Sequence, residues 1–136
     1  MRILISQKLM LNPNVGGSRN KYAKGWYESP IAGKVYLESS WEYKVALELD
    51  ENDINWKRPK KPFIWVDENK KSRRYYPDFY LIDYNVYLDP KNPYLALQDK
   101  YKIDDVINRH NINLFIISNE DDLKWNKIIR LLADVS

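Results

Sequence analysis

The chain has 136 residues, 44% hydrophobic and 14% aromatic, which is enough for one folded domain with a substantial core. It contains no cysteine, which excludes a disulfide framework and thiolate zinc sites and is typical of a reducing cytosol. No apolar run reaches the roughly 18 residues needed to span a bilayer, and the apolar stretch after Met1 is too short for a signal peptide.

Positive charge is concentrated in two blocks, although the net charge is only +3. Residues 1–35 contain six basic side chains and one acid, and residues 57–74 contain eight basic side chains and two acids. Aromatic residues are interleaved with both blocks, as in nucleic-acid-binding surfaces. The blocks predict contact with a polyanion, and a lysine-rich surface without a partner is the simpler alternative.

The first stretch, residues 1–35, lacks clear periodicity and contains the loop signal Gly16-Gly17-Ser18. We expect a basic, irregular N-terminal arm here, followed by a single domain over residues 36–136. No internal repeat or low-complexity tract interrupts that domain.

Residues 39–52 predict the first helix. Val45 and Leu49 lie one turn apart on its apolar face. Ser39 is placed to cap the first turn, and Glu42 follows three positions later, as in a capping box.

Three strands are predicted after a basic link that contains proline. They cover residues 63–66, 74–81 and 86–89, with polar turns between them. Pro90 and Pro93 are expected to end the third strand, because proline cannot donate a hydrogen bond to a sheet ladder.

A second helix is predicted over residues 95–109, followed by a wholly apolar strand over 114–117 that is expected to be buried on both faces. Asn119 is placed to cap a final helix. The resulting order, αβββαβα, predicts an α/β (α+β) fold in which helices flank a mixed sheet.

Asp78, Asp89 and Lys91 form the most informative pattern in the chain. If the second and third predicted strands are antiparallel neighbours, the turn at 82–85 brings both aspartates to the same end of the sheet. Lys91 is two residues beyond Asp89, so both side chains project to one face of an extended strand. Mg²⁺ prefers oxygen ligands and usually takes one or two carboxylates, and a neighbouring ammonium stabilises developing negative charge. The pattern therefore predicts a Mg²⁺ site, in which Mn²⁺ can substitute, that hydrolyses phosphodiester bonds.

Each of these residues also has a simpler interpretation. The aspartates can be solvated turn residues, and Lys91 can be a surface lysine. A capping box explains Glu42 without any metal. Charges such as Arg74 also protect exposed strand edges from aggregation. The sequence alone leaves these alternatives open.

Pro77-Asp78 followed by Asp89-Pro90-Lys91, after a helix that carries Glu42, resembles the PD-(D/E)XK nuclease superfamily. The predicted element order over about residues 36–118 is similar to the αβββαβ restriction-endonuclease-like core of that family. The resemblance implies that the three acids bind the metal and that the lysine assists the attacking water. The chain departs from the family at Pro90, where an apolar strand residue is usual.

The resemblance also implies a DNA substrate. Lys100, or Gln98, lies where some members place a further polar group on the second helix. The side chains expected to contact DNA are Lys24, Lys34, Lys57, Arg58, Lys60, Lys61, Arg73, Arg74 and Lys100, together with the rest of the basic arm.

A finer resemblance involves three segments: Gly25-Trp26-Tyr27-Glu28-Ser29-Pro30, Gly33-Lys34-Val35-Tyr36 and Ser39-Ser40-Trp41-Glu42. They resemble small phage-encoded members, among them the head-completion nucleases of T4-like phages and some free-standing homing endonucleases. This implies a DNA endonuclease in the host cytoplasm or on the virion, with a homodimer and phage head or neck proteins as expected partners. A homing endonuclease and a catalytically inactive DNA- or virion-binding protein remain the alternatives.

Overall fold

The computed structural model describes residues 24–133, which form a mixed α+β domain, as predicted. Among the helices of this part of the chain, none is long and apolar enough to cross a membrane. The elements in chain order are β1 (Gly25–Ser29), β2 (Gly33–Leu37), α1 (Ser40–Glu51), β3 (Trp56–Lys57), β4 (Phe63–Val66), β5 (Ser72–Tyr75), β6 (Phe79–Leu81), β7 (Val86–Pro90), α2 (Pro93–Gln98), α3 (Lys100–His110), β8 (Leu114–Ile117), a 3₁₀ turn (Glu120–Leu123) and α4 (Trp125–Ala133). The predicted cap at Asn119 bonds to this 3₁₀ turn, which precedes the last helix.

The central sheet has four strands in the order β3-β6-β7-β8, of which only β7 and β8 run parallel. With α1 before β3, and α2 and α3 before β8, its elements follow the predicted order αβββαβ. The identity of the first strand was predicted wrongly. Residues 63–66 do form a strand, but β4 pairs with β5 in a separate hairpin, and the two-residue β3 takes the place at the sheet edge.

The single strand predicted over residues 74–81 is two strands. β5 pairs with β4, whereas β6 pairs with β3 and β7. The chain changes partner at Tyr76-Pro77-Asp78, where Pro77 has no amide hydrogen for a ladder. Asp78 therefore immediately precedes β6 instead of lying inside a long strand.

The second predicted helix is also broken, into α2 and α3, with Asp99 between them. The third strand ends at Pro90, one residue later than predicted, because β7 includes the proline itself. The amide of Lys91 donates to the carbonyl of Ile117 at 3.0 Å, so the nitrogen of Pro90 points away from β8. On the β6 side of β7, the pairing ends at the Phe79–Leu88 pair. Pro90 lies beyond that pair, so its missing amide hydrogen costs no hydrogen bond between the strands.

The predicted irregular arm over residues 1–35 is wrong for its last part. β1 and β2 form an antiparallel hairpin over residues 25–37, in which Gly33 adopts a φ of 82° at the turn. Tyr27 and Ser29 on the inner face of β1 donate hydrogen bonds to the fully buried carboxylate of Asp50 on α1. This contact attaches the hairpin to the domain. Residues 1–23 lie outside the described part of the chain.

Two apolar clusters lie on opposite faces of the central sheet. The larger cluster includes α1, α4, the β1–β2 hairpin and the alternate residues of β6 and β7, such as Phe79 and Leu88. The smaller cluster joins Ile103 and Val106 of α3 to Leu114 of β8 and to the β4–β5 hairpin. The central sheet therefore lies between two packed layers, one on each face.

Candidate active site

Asp78 and Asp89 are neighbours across the β6–β7 pair. Phe79 is the register partner of Leu88, so one residue further along each strand Asp78 lies opposite Asp89. The sequence predicted this juxtaposition from the antiparallel turn, and the strand pairing confirms it. Neither carboxyl group faces open solvent, because the side chain of Asp78 is 23% exposed and that of Asp89 is 2% exposed.

The carboxylate of Asp89 is held on one side only. Its Oδ2 atom accepts a hydrogen bond from the hydroxyl of Tyr75. Burial and the charge of Asp89 raise the pKa of Tyr75, so the phenol keeps its proton and remains a donor. The Oδ1 atom of Asp89 is buried and, among residues 24–133, has no donor other than the carboxyl of Asp78 when that group is protonated. A buried carboxylate oxygen without a donor is costly and marks a place where a cation would be stabilised.

The pKa of Asp78 is raised from its ordinary value of 3.8 to about 10. Burial is the largest cause, followed by the neighbouring Asp89 carboxylate, with which Asp78 can share a proton, and by Glu42; Arg58 acts in the opposite direction. Asp78 is therefore protonated at neutral pH as long as nothing positive lies between the two acids.

Lys91 completes the predicted group. Its ammonium lies 3.6 Å from Asp89 and 3.1 Å from Asp99, the residue at the break between α2 and α3. Burial lowers the pKa of Lys91, but the two carboxylates outweigh that effect and the net shift is upward. Lys91 is therefore a permanent cation at this site and is unsuited to act as a general base.

Glu42 is close to the pair but is held by Arg58. The Arg58 guanidinium donates to Glu42 at 2.9 Å and to the backbone carbonyls of Tyr36 and Asp78 at 2.7 and 2.9 Å. The same Glu42 oxygen accepts from the amide of Glu38, so the capping interpretation of Glu42 also has structural support. Arg58, which is also expected to contact DNA, connects the hairpin, α1 and the start of β6 at the edge of the site.

Two carboxylates, not three, are thus brought together. Within residues 24–133 no three or more His, Cys, Asp or Glu side chains are arranged as a group that could hold a metal ion. The Asp78–Asp89 pair nevertheless fits Mg²⁺, which commonly takes one or two carboxylates and completes its shell with water and phosphate oxygens. A bound cation would pair with the buried Oδ1 atom of Asp89 and would lower the raised pKa of Asp78.

The other side chains predicted to contact DNA fall into two groups. Five lysines and Arg74 are exposed, and of these Lys34 packs over the Trp26 ring and Lys57 over the Tyr80 ring. Arg73 pairs with Asp67 at 2.8 Å, and Lys100 pairs with Asp104 at 2.7 Å. The exposed lysines are Lys24, Lys34, Lys57, Lys60 and Lys61. Lys100 does not join the site, and the basic residues of 1–23 lie outside the described part of the chain.

Three residues that support this candidate site were not predicted. Tyr75 orients Asp89, Asp99 holds Lys91, and Lys102 supports Asp99 at 3.3 Å while lying over the Tyr75 ring. Tyr75 carries a weak sequence signal, since it is a tyrosine in the strand that leads to Asp78. Nothing in the sequence indicated that the second helix breaks at Asp99.

The predicted acids and lysine are therefore close together in space, with additional support from Tyr75 and Asp99. No protein-family model, curated protein or solved structure matches the chain. The relation to the PD-(D/E)XK superfamily stays a prediction from the motifs, and function is inferred from the site itself.

Proposed function

We propose that this chain is a Mg²⁺-dependent DNA endonuclease of the PD-(D/E)XK type. The observation that supports the proposal best is the Asp78–Asp89 pair, in which one oxygen of Asp89 has no donor outside the pair among the described residues and the other acid has a pKa raised to about 10. Pairs of carboxyl groups this strongly coupled cluster at functional sites. The ammonium of Lys91, 3.6 Å from Asp89, supplies the positive charge that phosphodiester hydrolysis requires.

In this proposal each side chain has a defined task. Asp78 and Asp89 hold the metal, and Glu42 is the third predicted ligand. Bound Mg²⁺ would activate a water molecule and polarise the phosphoryl oxygen. Lys91 stabilises the negative charge that develops on the phosphate and orients the attacking water. Tyr75 keeps the Asp89 carboxylate in a fixed orientation by donating to its second oxygen.

The biological setting is proposed from the sequence motifs. The segments around Trp26, Lys34 and Trp41 resemble phage head-completion nucleases, which suggests processing of phage DNA, with phage head or neck proteins as partners. An enzyme of this kind cuts with little sequence preference. A homing endonuclease, the alternative within the same class, would cut one long site, so random and phage DNA substrates distinguish the two.

One observation favours a second function, in which the fold binds DNA or virion protein without catalysis. Arg58 already donates to Glu42 and lies 3.6 Å from the Asp78 carboxylate. A guanidinium in this position compensates acidic charge without a metal. The two functions differ in whether divalent cations are needed for any activity on DNA.

Asp89→Asn is expected to abolish Mg²⁺-dependent nicking of supercoiled plasmid. The amide removes the negative charge that faces the cation, and the loss should reach at least about 10²-fold, the effect of deleting one electrostatic contact at a reacting centre. Nicked and linear products are measured by gel electrophoresis with MgCl₂, with MnCl₂ and with EDTA.

The matched control is Asp104→Asn, which removes an exposed carboxylate on α3 that forms an ion pair with Lys100. This variant should nick the plasmid at the wild-type rate. Wild-type protein that binds DNA equally well in EDTA and never cuts it would instead support the second function.

A further inference from the structure

A groove lies at the β3 edge of the central sheet, and two of its lining residues, Tyr80 and Tyr87, lie on the same face of the sheet as the two acids. It encloses about 790 Å³ between the β1–β2 hairpin, the basic link after β3 and the exposed part of β6 and β7. Four lysines line it, which gives the groove a positive rim: Lys34, Lys57, Lys60 and Lys61. The rim predicts a polyanionic occupant.

The floor of the groove is aromatic. Tyr80 and Tyr87 are register partners on β6 and β7, and their ring centroids are 4.6 Å apart at an interplanar angle of 35°. Phe63 contacts the Tyr87 ring edge-on at 5.2 Å, and the Tyr80 hydroxyl donates to Asn85 at 2.9 Å. Rings this close are stacked on each other, so this aromatic platform offers a further ring the Tyr80 face that points away from Tyr87.

Tyr80 and Tyr87 are half-buried, because the second layer covers only part of the sheet. Tyr87 reaches the cluster made by α3 and the β4–β5 hairpin, but that cluster lies over β7 and β8. Tyr80, on β6, is not part of that cluster. Lys57 is exposed and its ammonium lies 5.7 Å from the centroid of the Tyr80 ring, so a stacked base would take the place of this ammonium over the ring.

The platform and the acids follow one another along the strands. Tyr80 is two residues after Asp78, and Tyr87 is two residues before Asp89, so all four side chains lie on one face of the sheet. Two strand residues span roughly 7 Å, and a group bound on the tyrosines is therefore next to a phosphate at the acids.

We infer that this groove binds an unpaired nucleotide, whose base extends the Tyr80–Tyr87 stack on the Tyr80 face that points away from Tyr87, while the lysines contact the adjoining phosphates. In a duplex the faces of each base are covered by its neighbours, so only an unpaired or extruded base can use an aromatic platform. The inference rests on the proposed function and refines its substrate to DNA with a single-stranded segment, such as a flap, gap or overhang.

The test is binding of fluorescein-labelled oligonucleotides, measured by anisotropy in EDTA so that cleavage plays no part. Wild-type protein should bind a single-stranded oligonucleotide more tightly than a blunt duplex of the same length. Tyr80→Leu should weaken single-strand binding roughly tenfold, since stacking on one aromatic ring has about this effect, whereas duplex binding should change little. Tyr80→Phe keeps the ring and should retain the preference.

The matched control is Tyr94→Leu, which removes a tyrosine that is 70% exposed on α2 and does not line the groove. Equal or tighter binding of the blunt duplex by wild-type protein would overturn the inference, as would unchanged single-strand binding by a folded Tyr80→Leu variant. If that variant does not fold, the wild-type preference decides. A single-strand preference without any nicking activity would support the groove and count against the proposed nuclease.

Discussion

Replacing Asp78 by asparagine is expected to stabilise the protein in EDTA and to abolish the proposed Mg²⁺-dependent cleavage of DNA. In the absence of a cation Asp78 lies beside Asp89 in a buried site, and its pKa is raised to about 10. A group whose pKa is raised on folding stabilises the folded state at acidic pH. That contribution is lost as pH rises from about 4 to about 10, at up to roughly 1.4 kcal/mol per pH unit.

The asparagine variant has no such titration. At pH 8 we expect its free energy of unfolding to exceed that of wild type by about 1 kcal/mol or more, with a melting temperature higher by a few degrees. Urea unfolding between pH 5 and 9 checks this, with Asp104→Asn as the control. A wild-type stability that does not fall over this range, or a variant less stable than wild type at pH 8, would contradict the coupling of the two acids.

Replacing Asp50 by leucine is expected to cause the largest loss of stability in the molecule. This carboxylate is fully buried and accepts from the hydroxyls of Tyr27 and Ser29 and from the indole Nε1 of Trp56, the last two at 2.7 and 2.9 Å. Leucine leaves three buried donors unsatisfied. Each such donor costs about 1–3 kcal/mol, so the free energy of unfolding should fall by about 3 kcal/mol or more.

Asp50→Asn should lie between leucine and wild type, because its amide oxygen can satisfy some of these donors but not all. The control is Glu51→Gln on the same helix, which removes a carboxyl whose pKa is raised by burial and by its acidic neighbours. That change should be neutral or slightly stabilising. Thermal and urea unfolding report all three variants, and an Asp50→Leu protein as stable as wild type would show that the hairpin does not depend on this contact.

The local parts of the site could be predicted from the sequence. Asp78 and Asp89 are joined by a short turn, so antiparallel pairing of their strands is sufficient to bring them together. Lys91 follows Asp89 in extended chain, and alternation along the strand places it on the same face. The Ser39 hydroxyl accepts from the amide of Glu42 as the capping pattern predicted, whereas the Glu42 side chain accepts from the amide of Glu38 and not from that of Ser39.

The rest depends on contacts between distant segments, which local patterns do not contain. Tyr75 reaches Asp89 only because the chain changes sheets after β5, and Asp99 reaches Lys91 only because the second helix breaks. Arg58 acts through Tyr36 and Glu42, residues about twenty positions earlier in the chain. The strand β3 has two residues, too few for any periodicity. Tertiary structure therefore decides how the predicted acids are supported.

The most direct test of the Asp78–Asp89 site is titration of the protein with Mg²⁺ and Mn²⁺ by isothermal calorimetry in buffers of different ionisation enthalpy. Because Asp78 is protonated at neutral pH without a cation, wild-type protein should bind the metal and release about one proton per ion at pH 7. Asp89→Asn should bind neither metal, and Asp104→Asn should behave as wild type. Wild-type protein that binds neither metal, or an Asp89→Asn variant that binds both equally well, would contradict a metal site between these two carboxylates.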